Sequence, residues 1–241
     1  MDSFEKEKKY ILEISQNRIF SVPLSRDDLN ENIIIRTNTL TKSTKEEIIK
    51  KAFDFHSEGN ITQAIKYYQC FVNEGFSDHL VFSNYGGILT DLDKNKEAEI
   101  YLRKAIKLKP SFALAHYNLA NTLVELEKTE EALIYFKNAI RLKPKFTEAY
   151  LNIGNIMRNS GNLKDAEIYT RKAINLSPDF HLAYYNLGNI LRDSGNLNEA
   201  ITHYNKAINI NPSFVDTYVN LSNIYSDYGE LDKAEILLIF V

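Results

Sequence analysis

The sequence predicts an all-α protein that is built from stacked helix pairs. Three consecutive stretches of 34 residues are similar to one another, at 113–146, 147–180 and 181–214. Four of the five prolines recur at the same interval, at Pro110, Pro144, Pro178 and Pro212. A period of about 20–50 residues is typical of solenoid proteins, in which each repeat packs on its neighbours and the core runs along the stack.

The repeats form an array that begins at Lys45. Counted from there, the units are 45–78, 79–112, 113–146, 147–180, 181–214 and an incomplete 215–241. Each unit is predicted to contain two antiparallel helices, at repeat positions 1–13 and 17–30, joined by a tight turn. Residues 1–44 do not share the pattern, and we expect a leader there that either contains a small β-hairpin or is poorly ordered.

Small residues at two repeat positions allow the helices of a pair to pack closely. Position 20 is alanine in all six units, and position 8 holds Ala52, Gly86, Ala120, Gly154, Gly188 and Ser222. Helices whose contact points lack bulk approach at the short end of the usual range of about 8–10 Å between axes.

The turn inside each unit also has a characteristic residue pattern. Position 15 is glycine in four units, where the end of a helix favours a positive φ: Gly59, Gly161, Gly195 and Gly229. Asparagines that can cap the second helix follow three of these glycines. Asp93 and Glu127 replace the glycine in units two and three, so we expect those two turns to be looser.

Together, the small residues, the turn glycines and the recurring prolines resemble the tetratricopeptide repeat (TPR) family over residues 45–241. That resemblance implies a right-handed superhelix of antiparallel helix pairs with a concave inner groove, and a function in binding other proteins. The array is similar to the TPR arm of O-linked N-acetylglucosamine transferases. The leader, which contains FSVPLS and NIIIRTNT, resembles segments that precede TPR arrays in some bacterial proteins with a transferase domain.

An asparagine pattern at two repeat positions is more regular than packing requires. Position 6 holds Asn84, Asn118, Asn152, Asn186 and Asn220, and position 9 holds Asn121, Asn155, Asn189 and Asn223. Residues three apart share a helix face, and the resemblance implies that this face lines the groove. An amide side chain offers one acceptor and two donors, which match a peptide unit. This asparagine ladder either holds the backbone of a bound peptide, as in those transferases, or reflects the residues that TPR repeats commonly have there.

Other side chains are expected beside the asparagine ladder. Those predicted to give specificity for a partner are Leu114, Tyr117, Leu182 and Tyr185, at positions 2 and 5. Arg158 and Arg192 share position 12, where they either bind a carboxylate of the ligand or are solvated or paired within the protein. Position 5 carries no lysine, so the carboxylate clamp of chaperone-binding TPR domains is not expected.

Composition and motifs argue against several other classes of function. The 29 Lys and Arg and the 32 Asp and Glu residues give a net charge of −3, which disfavours nucleic-acid binding. No apolar stretch is long enough for a membrane span and the charged N-terminus does not resemble a signal peptide, so we expect a cytoplasmic protein. No HExxH, CxxC or phosphate-binding glycine loop appears, so we predict no metal, cofactor or enzymatic activity.

Three functions are consistent with these features. The first is a protein–protein interaction module that binds an extended segment of a partner protein. The second is the substrate-recruiting arm of a larger, glycosyltransferase-like enzyme whose catalytic domain is absent from this chain. The third is a self-assembling scaffold. The sequence ILLIFV at the end is apolar where other units are polar, which predicts a homodimer through Ile239 and Phe240.

Overall fold

The computed structural model describes residues 44–238, and these form twelve helices joined by short turns, without a strand. The helices divide into two compact units, of which the first ends at Tyr135 and the second begins at Phe136. The prediction of an all-α array of helix pairs is confirmed. The predicted leader hairpin and the predicted dimer contacts at Ile239 and Phe240 lie outside the described residues.

The helices follow the repeat in sequence. In the first unit they are α1 (Lys45–Ser57), α2 (Ile61–Asn73), α3 (His79–Asp91), α4 (Asn95–Leu108) and α5 (Ala113–Glu125). Helix α6 (Thr129–Leu142) contains the boundary between the units. The second unit continues with α7 (Thr147–Asn159), α8 (Leu163–Leu176), α9 (His181–Asp193), α10 (Leu197–Ile210), α11 (Val215–Asp227) and α12 (Leu231–Leu238). Each odd-numbered helix is the first of a pair and begins at the first residue of a repeat.

Side-chain hydrogen bonds explain why several helices begin where they do. Thr44 forms a capping box with Glu47, in which each side chain accepts from the other residue's N–H, at 3.2 and 3.1 Å. Asp78 accepts from two backbone N–H groups at the start of α3. Asn60 and Asn162 accept from one each at the start of α2 and α8. These side chains satisfy N–H groups that have no partner within their own helix.

The turns between paired helices keep one geometry, whether or not they contain glycine. Gly161 has a φ of +78°, and its N–H donates to a backbone oxygen of the preceding helix at 2.9 Å. Asp93 and Glu127 have φ values of +58° and +59°, and their N–H groups make the equivalent bonds at 3.0 and 2.9 Å. The prediction of looser turns is therefore wrong. The hydrogen bonds are kept, and both residues are held in the left-handed region, where a side chain costs free energy.

Glycine at position 8 makes room for a side chain at position 24 of the paired helix. A Cβ on Gly86 would lie 2.5 Å from Leu102 Cγ, and a Cβ on Gly188 would lie 2.5 Å from Tyr204 Cε1. The closest approach of the pair is therefore filled by one large side chain that crosses over the glycine. This arrangement explains why small residues recur at position 8.

Within each unit, successive pairs pack through both of their helices. The second helix of one pair contacts the first helix of the next, as α4 does with α5 and α8 with α9. Neighbouring first helices also contact each other, α3 with α5 and α7 with α9. In the second unit, a core of buried side chains joins α9 and α10 to α11, formed by Leu187, Leu191, Ala200, Tyr204, Leu221 and Ile224. The contact between first helices brings together the repeat positions that carry the asparagine ladder.

The second helices are linked by arginines that each lie between two carboxylates. Arg103 contacts Glu99 of α4 at 2.7 Å and Glu131 of α6 at 2.8 Å. Arg171 makes the same pair of contacts, to carboxylates of α8 and α10, at 2.7 and 3.7 Å. Glu99 also pairs with Lys128 at 2.9 Å, so Arg103 shares one of its carboxylates with a second cation.

Candidate functional site

In the first unit, the asparagines at position 6 are buried. Asn84 on α3 is 6% exposed and Asn118 on α5 is 2% exposed. Asn118 Nδ2 donates to the backbone oxygen of Ser83 at 3.3 Å, so this side chain links two neighbouring first helices. Burial of both side chains leaves little of either amide accessible to a ligand.

In the second unit, asparagines of adjacent first helices bond to each other. Asn186 Nδ2 on α9 donates to Asn155 Oδ1 on α7 at 2.7 Å. One pair further along, Asn220 Nδ2 on α11 donates to Asn189 Oδ1 on α9 at 2.9 Å. Each bond joins position 6 of one repeat to position 9 of the preceding repeat. We call each such pair a rung; the spacing of the asparagines in the sequence did not predict these bonds.

The rung between Asn220 and Asn189 belongs to a larger polar network. The Tyr204 hydroxyl donates to Asn189 Oδ1 at 2.6 Å, and Asn220 Nδ2 also donates to the Tyr185 hydroxyl at 3.0 Å. Burial raises the pKa of Tyr204 to about 12, because the ionised phenolate would be poorly solvated there. Asn189 is 4% exposed, so this rung is largely internal, whereas both members of the Asn155–Asn186 rung are half-buried.

Burial gives several of the predicted contact residues a different role. The sequence predicts that Asn84, Asn118 and Asn189 face a bound peptide, but all three are buried. Tyr117 is predicted to contact a partner's side chains, but it is completely buried. The physical reason is helix packing: Asn118 bonds to Ser83 of the neighbouring first helix, and Asn189 is covered by Tyr204 of its paired helix and by Asn220 of the next first helix. The remaining predicted residues are half-buried, namely Asn121, Asn152, Asn155, Asn186, Asn220, Leu114, Leu182 and Tyr185, or exposed, namely Asn223.

Arg158 and Arg192 share one carboxylate, that of Asp193. Arg158 Nε donates to Asp193 Oδ2 at 2.6 Å, and Arg192 Nη2 lies 3.4 Å from Asp193 Oδ1. Arg192 Nη1 also donates to Asn220 Oδ1 at 3.3 Å, which connects the arginines to the asparagine ladder. Of the alternatives that the sequence left open, pairing within the protein is the one present in this structure.

Sequence reasoning missed Asp193 and Tyr204, although a signal for Asp193 was present. Position 13 is acidic in four of the six units, at Asp91, Glu125, Asp193 and Asp227. An acid that recurs directly after position 12 could have identified the partner of the arginines. Position 24 varies among tyrosine, leucine, phenylalanine and threonine, so the repeat gave no comparable signal for Tyr204.

The part of the chain that the structure describes contains no group of three or more His, Cys, Asp or Glu side chains that could hold a metal ion. Burial lowers the pKa of His56, His79, His181 and His203, which favours their neutral forms. His56 Nδ1 lies 3.1 Å from the Tyr68 hydroxyl, and neither residue belongs to the asparagine ladder. Among residues 44–238, no helix combines the length and the apolar character that crossing a membrane requires.

Family models match the repeats. Models described as "Tetratricopeptide repeat" match residues 113–146, residues 169–202, and both 81–112 and 147–180. A model described as "TPR repeat" matches residues 188–229. Together these matches cover more than half of the chain. The chain belongs to the tetratricopeptide repeat family. A TPR array is a protein-interaction module, and this chain is therefore one that binds a protein or peptide partner.

Several solved TPR structures share this fold. A TPR protein from Parabacteroides merdae is 22% identical, with a TM-score of 0.65 over 80% of this chain and 77% of that one. YrrB, described as a TPR protein with an unusual peptide-binding site, is 23% identical, with a TM-score of 0.56 over 72% and 89%. MamA from Desulfovibrio magneticus is 18% identical, with a TM-score of 0.59 over 67% and 91%. A comparison with curated protein sequences finds no match.

Proposed function

We propose that the second unit of this TPR protein binds an extended segment of a partner protein, without catalysis, and that its accessible asparagines hold the segment's backbone. The observation that carries the proposal is the half-buried Asn155–Asn186 rung. This bond uses the acceptor of Asn155 and one donor hydrogen of Asn186. It does not use Asn155 Nδ2 or Asn186 Oδ1, which together offer the donor and the acceptor that a peptide unit requires.

The rung also fixes the orientation of both amides before a ligand arrives. An isolated asparagine side chain on a helix must lose rotamer freedom when it binds, which weakens binding. Because Asn186 already bonds to Asn155 at 2.7 Å, both side chains lose this rotamer freedom when the protein folds and not when the ligand binds. The rung is therefore preorganised, which supports a role in backbone recognition.

The repeat spacing matches an extended peptide. Successive helix pairs advance by about 10 Å, the distance between packed helices. An extended chain rises about 3.3 Å per residue, so one rung meets roughly every third residue of a bound strand. The three repeats of the second unit could hold about nine residues. Leu182 and Tyr185, which are half-buried on the same helix as Asn186, are the side chains that would read the sequence of the partner.

The proposal is tested with a capped, uncharged peptide of about nine residues, titrated into ¹⁵N-labelled protein. The side-chain amide signals of Asn155 and Asn186 should shift and saturate. A net hydrogen bond contributes about 0.5–1.5 kcal/mol, so the double variant Asn155→Ala/Asn186→Ala should bind about tenfold more weakly. Circular dichroism serves as the control for folding.

The second helices provide a matched control. Asn175 and Asn209 are exposed asparagines on α8 and α10, outside the asparagine ladder, so Asn175→Ala/Asn209→Ala should leave affinity unchanged. Equal affinities of the wild type and the ladder variant would refute backbone capture by the rung. The same conclusion would follow if the peptide shifted the amide signals of the control asparagines in preference to those of the ladder.

A further inference from the structure

The two arginines at position 12 differ from the other inter-repeat arginines in their charge balance. Arg171 contacts two glutamates, and Arg103 contacts two glutamates of which one, Glu99, also pairs with Lys128. Arg158 and Arg192 are two cations whose ion pairs, within residues 44–238, are both made with Asp193. At position 12, two guanidinium groups therefore share one carboxylate, whereas Arg171 alone contacts two.

The geometry of this cluster leaves guanidinium hydrogens available to a second anion. Arg158 contacts Asp193 through Nε, at 2.6 Å, so that bond does not use its two terminal nitrogens. Arg192 reaches Asp193 at 3.4 Å and Asn220 at 3.3 Å, both at the long end of hydrogen-bond distances. A guanidinium group carries five N–H donors, and its planar fork favours two-point contact with a carboxylate.

The cluster is accessible and continuous with the proposed binding surface. The side chains of Arg158, Arg192 and Asp193 are 27%, 31% and 30% exposed. Arg158 lies one helical turn after Asn155 on α7, and Arg192 bonds to Asn220 of the asparagine ladder. A strand held by the Asn155–Asn186 rung would therefore pass beside both guanidinium groups.

We propose that Arg158 and Arg192 form an anion subsite that receives a carboxylate of the bound segment, so that the preferred partner is an acidic peptide. This inference rests on the proposed function, because the rungs bring the segment to the subsite. In the absence of a ligand, the Asp193 carboxylate bridges the guanidinium groups of Arg158 and Arg192, which belong to successive repeats. A carboxylate of the ligand would bind the N–H groups that do not bond to Asp193. The carboxylate is supplied either by an Asp or Glu side chain or by the C-terminus of the partner.

The test compares three peptides that share one sequence of about nine residues. The first is uncharged and capped at both ends, the second is capped and carries one central glutamate, and the third has uncharged side chains, a capped N-terminus and a free C-terminal carboxylate. Affinity is measured by NMR titration at low salt, with the Nε–Hε signals of Arg158 and Arg192 as site-specific reporters. Because charge-assisted bonds are stronger than neutral ones and the site is partly exposed, at least one acidic peptide should bind about tenfold more tightly than the uncharged peptide. The peptide that shows the gain identifies the source of the carboxylate.

The ratio of acidic to uncharged affinity, measured within one variant, separates recognition from folding defects. Arg158→Gln and Arg192→Gln should each bring this ratio close to one, whereas Arg171→Gln on the second helices should leave it unchanged. Asp193→Asn should raise the ratio several-fold, because the internal competitor is removed. If Asp193→Asn instead brings the ratio of acidic to uncharged affinity close to one, Asp193 does not compete with the ligand for the arginines.

Two failures can be told apart in these titrations. If the uncharged peptide binds and the acidic peptides bind no better, the anion subsite is wrong and the backbone proposal stands. If the uncharged peptide does not bind while an acidic one does, the subsite stands and backbone capture fails. If no peptide shifts any ladder or arginine signal, both are rejected.

Discussion

Glu127 has a backbone conformation that residues with a side chain seldom adopt. Its φ is +59°, and Asp93 has a φ of +58° at the same repeat position, where the other described turns have glycine. Crowding of Cβ in the left-handed region costs about 1–2 kcal/mol. Aspartate tolerates this region better than glutamate does, because its short side chain can hydrogen-bond locally. Of the two residues, Glu127 therefore has the larger strain to release.

We expect Glu127→Gly to raise the free energy of unfolding by about 0.5–1 kcal/mol. The strain is relieved in the folded state, and the greater flexibility of glycine in the unfolded chain offsets part of the gain. Urea denaturation followed by circular dichroism measures the change. The reverse substitution, Gly161→Glu, should lower stability by a similar amount. If Glu127→Gly leaves the free energy of unfolding unchanged or lowers it, the Glu127 backbone is not strained.

At the scale of elements, the sequence predicted the helices well and their contacts only in part. The 34-residue period, the turn glycines and the prolines act locally, so they determine where each odd-numbered helix begins. Burial of a ladder asparagine depends on how closely the next first helix approaches, and the repeat pattern does not encode that distance. Asn118 and Asn186 share one repeat position, yet Asn118 bonds to a backbone oxygen of Ser83 and Asn186 to the Asn155 side chain.

Arg103 and Arg171, which link neighbouring second helices, should differ in their contribution to stability. Arg103 adds to its carboxylate contacts a hydrogen bond to the Tyr135 hydroxyl at 3.0 Å, and its guanidinium lies 5.8 Å from the centre of that ring. Arg171 has its two carboxylates, the second at 3.7 Å. Their side chains are 40% and 44% exposed, so water screens both ion pairs.

We therefore expect Arg103→Gln to cost roughly 1 kcal/mol of stability and Arg171→Gln a few tenths of that. In about 1 M salt, the cost of Arg171→Gln should vanish, whereas the stacking part of the Arg103 contribution should persist. Chemical denaturation at low and high salt measures both. Identical costs for the two variants at low salt would show that the contacts with Tyr135 add nothing.

For the molecule as a whole, stability should follow the repeats. Within each unit, helix pairs pack on their neighbours in sequence, so the free energy of opening is expected to be a sum of local terms and not one all-or-none value. The strained turns are unevenly distributed in this sum. Asp93 and Glu127 both lie in the first unit, whereas all three described turns of this kind in the second unit contain glycine, at Gly161, Gly195 and Gly229.

The first unit should therefore open more readily than the second. In hydrogen exchange of the whole chain, we expect lower protection for the amides of α3 and α4 than for those of α7 to α10. The double variant Asp93→Gly/Glu127→Gly should raise protection in α3 to α5 by the strain released there, and should leave α9 and α10 nearly unchanged, because local terms do not propagate along the stack. Uniform protection from α1 to α10 would contradict the uneven distribution. An equal rise of protection in α9 and α10 would show that the array opens as one cooperative unit, in which case strain at a single turn would weaken the proposed binding surface of the second unit as well.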